Sequence, residues 1–156
     1  MRAEIGEAYE ASTSALQAAK GQRLSLRRAL GEFERALASP VTDPVEGCIA
    51  RLITAVQHLR VVFALHVDVT EAPDGLYEEI LDNAPRLANK INRFKREHAS
   101  ISDAIERGVA DLGDASALTP ELRGQLVKLF DDLTRHRKRG LDLVYEAYHV
   151  DIGGES

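Results

Sequence analysis

The sequence predicts an all-α fold, an antiparallel up-down-up-down four-helix bundle, and three observations lead there. Strand signals are missing: no alternating β-branched segment occurs, and Asp74-Gly75 falls between helical patterns rather than between two hydrophobic runs. Apolar residues recur at three- and four-residue steps along four stretches, the spacing of a helix with one buried stripe. The connections between those stretches are short, which sets consecutive helices side by side and antiparallel.

The first helix is expected from about Ala3 to Ala38, carrying Ile5, Tyr9, Leu16, Leu26, Leu30, Phe33 and Leu37 on its stripe. Gly21 and Gly31 weaken it, so a break near Gly21 is anticipated, and Ser39-Pro40 ends it. Thr42-Asp43-Pro44 supplies a cap and a first-turn proline for the second helix, whose seam reads Ile49, Leu52, Val56, Leu59, Phe63, His66. That helix must stop before Pro73, because a residue preceding proline avoids the α region. Asp74 is expected to cap a short helix over Leu76–Leu81. Pro85 then opens a long third helix to about Leu112 with the seam Leu87, Ile91, Phe94, His98, Ile101, Ile105. Thr119-Pro120-Glu121 repeats the cap-plus-proline pattern and starts the fourth, to about His149, with Leu122, Leu126, Leu129, Leu133, His136, Gly140, Leu143.

At 156 residues the chain reads as one domain, residues 1–156, long enough to bury a core unaided, with 153–156 as a tail. A hydrophobic share of 44% beside 29% charged residues separates it from disordered chains. The formal net charge of −5 offers no general attraction for nucleic acid. With Cys48 alone, an internal disulfide and any cysteine-rich zinc or iron–sulfur centre are excluded, and Cys48 is expected as a small buried apolar residue. No apolar run of membrane-spanning length and no signal peptide are recognised, so the expected setting is cytoplasmic, without membrane or nucleic-acid partners.

Three histidines carry the chemical interest. His66, His98 and His136 each interrupt the apolar stripe of a different helix. A buried imidazole left without a partner costs roughly 1–3 kcal/mol, so each needs a hydrogen bond or a Lewis acid. Neutral imidazole is the commonest protein ligand of iron, zinc, copper and nickel, and carboxylates complete harder sites. Glu71, five residues after His66, is the best acid, but i+5 lies roughly 140° around a helix. It can coordinate beside His66 only if the helix unwinds on approaching Pro73. Asp103 and Asp142 would need distorted turns and rank below it. His66 also lies near the end of its helix, so it meets the other two only if the Leu76–Leu81 insert lengthens that end of the bundle.

Other signals have plainer readings. His58 and His149 are expected at the surface or boundary. Glu146-Ala-Tyr-His149 has the Glu-x-x-His spacing of carboxylate-bridged sites, without a second copy. The run Arg135, Arg137, Lys138, Arg139 reads as a solvated face around one inward residue, or as a docking patch for an acidic partner or phosphate. Tyr77, Tyr145 and Tyr148 are expected to pack at the core's edge.

The residues His66-Val-Asp-Val-Thr-Glu71, Arg96-Glu97-His98 and Arg135-His136, in that order on three successive helices, resemble the hemerythrin-like (HHE cation-binding) family. The likeness spans about residues 45–150. It implies a bundle with a non-haem iron centre, mononuclear or di-iron, held by His66, Glu71, His98 and His136. It further implies handling of oxygen, nitric oxide or peroxide, or iron sensing, rather than turnover of an organic substrate. The first helix lacks the family's histidine and offers only Tyr9, Ser12 and Arg23 as polar stripe members. Thr70 stands where the family's second-helix acid belongs, Ser102 replaces a second histidine on the third helix, and Gly140-Leu141 replaces an acid on the fourth. A metal-free helical interaction module with a vestigial site is the alternative reading.

Overall fold

The structure, a computed structural model, describes residues 2–39 and 44–150, with the side chains of 14–39 and 44–148. Among these residues the regular structure is helical with no strand, and four long helices form a bundle. Helix α1 spans Arg2–Leu37, α2 Val45–Glu71, the short α3 Leu76–Asn83, α4 Ala88–Asp114 and α5 Pro120–Tyr145. A 3₁₀ turn over Pro85–Leu87 leads into α4, and a π-helical turn over Glu146–Val150 follows α5. Around the bundle, α1 packs on α2 and α5, and α4 packs on the same two helices from the other side.

Helix α1 runs unbroken through Gly21. A glycine in a helix interior costs about 1 kcal/mol, and the burial of Leu26, Ala29, Leu30 and Phe33 just beyond it outweighs that. Thr42 and Asp43, the expected cap of α2, lie outside the described residues, as does the 153–156 tail. Pro44 stands at the cap itself, with φ −56° and ψ 139°, one place before the first helical residue. Thr119 caps α5 as its spacing predicts, its side chain accepting from the Leu122 N–H at 3.1 Å.

At the turn between α2 and α3 the cap is Gly75, not Asp74. The chain folds so tightly there that a Cβ on Gly75 would sit 2.5 Å from the Val69 carbonyl oxygen. Only glycine fits, and the close turn seats α3 against α1 and α2.

An 18-residue window within Val45–Asn83 has a mean hydropathy of 1.5. By length and composition this stretch could cross a membrane, contrary to the sequence expectation that no such run exists. The same composition serves the core, into which α2 sends Leu52, Val56, Leu59 and Phe63.

Two apolar clusters fill the interior. One gathers Leu26, Phe33, Leu52, Leu59, Phe63, Ile105, Leu126 and Leu133 from the four long helices. The other gathers Tyr77, Ile80, Leu87, Ile91, Phe94 and Leu143 around α3. His66, His98 and His136 lie where the clusters meet: Phe63 of the first packs on all three rings, while Phe94 and Tyr77 of the second pack on His136 and His98. Helix α3 therefore extends the interior past the end of α2, as the meeting of His66 with the other two requires.

Candidate metal centre

The three seam histidines converge. His66 on α2 is 8% exposed, and His98 on α4 and His136 on α5 are 1% exposed each, so their polar atoms depend on one another. The Nε2 atoms of His98 and His136 lie 3.1 Å apart, and those of His136 and His66 lie 3.4 Å apart. One ring nitrogen from each of the three falls within 4.8 Å of the others. With metal–nitrogen bonds of about 2.0–2.1 Å, two imidazoles on one tetrahedral ion stand about 3.3 Å apart, nitrogen to nitrogen. The two measured separations bracket that value.

The far side of two rings carries a carboxylate. Glu71 Oε2 lies 2.6 Å from Nδ1 of His98, and Glu97 Oε1 lies 3.2 Å from Nδ1 of His136, with Arg139 bonded to the same Glu97 oxygen. A carboxylate at Nδ1 holds a proton there, so the neutral ring keeps a bare lone pair at Nε2. Both bare lone pairs point into the group. This carboxylate–histidine pairing is the arrangement that fixes tautomer and ring angle behind metal-ligating histidines. His66 differs, because its buried Nδ1 has no partner.

Glu71 was expected among the ligands, beside His66, through unwinding of the helix end. That does not happen. Helix α2 stays regular through Glu71, whose side chain reaches across to the back of His98 and not to the three facing nitrogens. At Thr70, four residues after His66, the hydroxyl donates to the His66 and Val67 carbonyls at 2.8 and 3.1 Å, which keeps the last turn closed. Asp103 and Asp142 are exposed and take no part in the group.

Electrostatics favour neutral rings. Burial first, and then the neighbouring imidazoles and Arg23, depress His66 to about 3. Burial and then His136 depress His98 to about 3. His136 is also lowered by burial, against the opposing pull of Glu97. Burial raises the Glu71 carboxyl, Lys95 opposing and Asp68 adding. Three uncharged imidazoles present lone pairs rather than protons, which is the state a metal ion requires.

Two further groups complete the surroundings. The Tyr77 hydroxyl lies 3.3 Å from Nε2 of His98, its ring stacked on the imidazole, and burial raises its pKa strongly. Sequence reasoning placed Tyr77 at the core's edge; its approach depends on how α3 docks, which no local pattern encodes. Glu97 carried a signal as the immediate neighbour of His98, but its partnership with His136 on another helix did not show.

The remaining candidates are accounted for by ordinary contacts. His58 is exposed and pairs with Glu32 at 2.8 Å. Glu146 pairs with Lys90 at 2.6 Å and Arg86 at 3.2 Å, and the His149 side chain lies outside the described residues. Arg135 and Lys138 are exposed, while Arg137 is half-buried. Cys48 is half-buried rather than buried. Compared with family models, curated proteins and solved structures, the chain shows no match.

Proposed function

We propose that this chain is a metal-binding helical bundle in which the Nε2 atoms of His66, His98 and His136 hold one transition-metal ion. In this reading the four long helices run alternately up and down, as in hemerythrin-like domains, and the resemblance to that family favours iron. Glu71 and Glu97 stand behind two of the ligands and hold their rings. Three neutral imidazoles leave the ion's charge uncompensated and leave coordination positions open, which suits a small ligand such as oxygen, nitric oxide or peroxide, or a role in iron sensing. The observation that carries the proposal is the pair of facing Nε2 atoms whose tautomers are set by carboxylates behind them.

One observation favours a metal-free module instead. The Tyr77 hydroxyl can donate to Nε2 of His98, and an Nε2–H on His66 can donate to His136, so protein groups alone can satisfy both bare nitrogens. Metal analysis and absorption spectra decide between the two, on protein from iron-supplemented cells and again after anaerobic reconstitution. Near-stoichiometric metal that is lost in His98→Ala and His136→Ala is expected. Protein that takes up no transition metal under either condition overturns the proposal in favour of the module.

A further inference from the structure

Beside the three histidines lies a small cavity of about 20 Å³, walled by His66, His136, Thr70, Tyr77, Arg23 and Arg137 among others. Its polar lining is one-sided. Two arginines, Arg23 and Arg137, line it and no acidic residue does. Arg23 is half-buried, on the α1 stripe, and has no hydrogen-bond or ion-pair partner among the described residues. Its charge is felt at His66, and its own pKa is lowered by burial. A half-buried guanidinium without a counter-charge is costly, and a small anion beside it removes that cost. Thr70 is not free to supply the missing partner, since its hydroxyl is already committed to backbone carbonyls. Tyr77 lines the same space, and a metal on Nε2 of His98 would release its hydroxyl to donate elsewhere.

We infer that the cavity is the ligand position of the proposed metal centre and that it selects a small inorganic anion, bound to the ion and neutralised by Arg23 and Arg137. The inference rests on the metal-binding reading and adds the charge and size of the ligand. Space for about one water molecule needs roughly 10–15 Å³ on this measure, so the cavity admits an ion of one or two heavy atoms and excludes larger anions. Guanidinium donors give charge-assisted bonds that a neutral diatomic molecule of the same size cannot match.

The test uses cobalt(II)-loaded protein, with cobalt stoichiometry measured first and cyanide then titrated while the visible cobalt bands are followed. Wild-type protein is expected to show a saturable band shift. Arg23→Met is expected to hold the same cobalt and to bind cyanide about tenfold or more weakly. Arg23→Lys, which keeps the charge, recovers most of that loss. Should Arg23→Met not fold, Arg23→Gln carries the same comparison. Cobalt-loaded Arg23→Met or Arg23→Gln that binds cyanide as wild type does, or wild-type cobalt protein whose bands ignore cyanide, overturns the anion inference alone. Wild-type protein that takes up no cobalt overturns the metal-binding reading and this inference with it.

Discussion

His98 and His136 face one another across 3.1 Å, Nε2 to Nε2, and each has a carboxylate bonded to its opposite ring nitrogen. Two lone pairs at that separation repel unless something positive or a proton lies between them. The pair is therefore the place where either an ion or the donors Tyr77 and His66 must offset that repulsion.

Glu71 and Glu97 hold those rings, so weakening either should weaken metal uptake without removing a ligand. Glu71→Gln and Glu97→Gln are each expected to lower affinity by about 10–100-fold, the usual effect of removing an outer carboxylate. Competition against a chelator of known affinity measures it. Unchanged affinity in both variants would mean that neither carboxylate orients a ligand.

Tyr77 acts in the opposite sense. Its hydroxyl bonds to the nitrogen that the ion would occupy, so it stabilises the metal-free protein only. Tyr77→Phe is expected to cost the metal-free form about 0.5–1.5 kcal/mol. The same variant should raise metal affinity by roughly threefold to tenfold. Thermal unfolding with and without metal gives both numbers. A variant equally destabilised in the two states would show that the hydroxyl does not compete with the ion.

Acid should unfold the metal-free protein through the buried rings. His66 and His98 titrate near 3 when folded, against an ordinary 6.5. Between those values the unfolded chain binds protons that the folded chain does not, so stability is fully present above about pH 6.5 and declines as pH falls towards 3. The midpoint of urea unfolding, followed from pH 7 to pH 4, should drop steadily, and less steeply in His66→Phe. A flat profile would mean that the rings are not desolvated.

Two glycines should respond in opposite directions. Nothing lies within 4 Å of a Cβ placed on Gly21, so Gly21→Ala should add about 0.5–1 kcal/mol of stability by removing a flexible residue from a helix. Gly75→Ala forces a Cβ against the Val69 carbonyl and should destabilise the protein and shift α3. The near-ultraviolet circular dichroism of Tyr77 would report that shift, and a spectrum unchanged from wild type would count against the tight turn.

The helices and the three converging histidines were legible because both depend on local periodicity: a polar ring at a seam position must face inward if the seam does. The unbroken passage through Gly21 was not, because a local propensity cost is outweighed by packing between helices. Glu71 shows the same limit more sharply. Angular arithmetic along α2 put it about 140° from His66, and the expected unwinding that would bring it back does not occur; only the approach of α4 reveals His98 as its partner. Tyr77 and Arg23 belong to segments whose docking is decided by Gly75 and by the packing of α1, and neither is written in residue spacing.

Among the described side chains helix α1 contributes no donor to the histidine group, although it walls the cavity beside it. An ion on α2, α4 and α5 would stitch those three segments together and leave α1 held by packing and by bonds near one end, Glu32 to His58 and Arg123 to the Leu37 carbonyl. The fold would then acquire a hinged door: amide exchange in α1 should stay fast after metal loading while the other three slow. A small ligand could come and go through transient departures of that one helix, which release Arg23 from the ligand and break no bond to the ion.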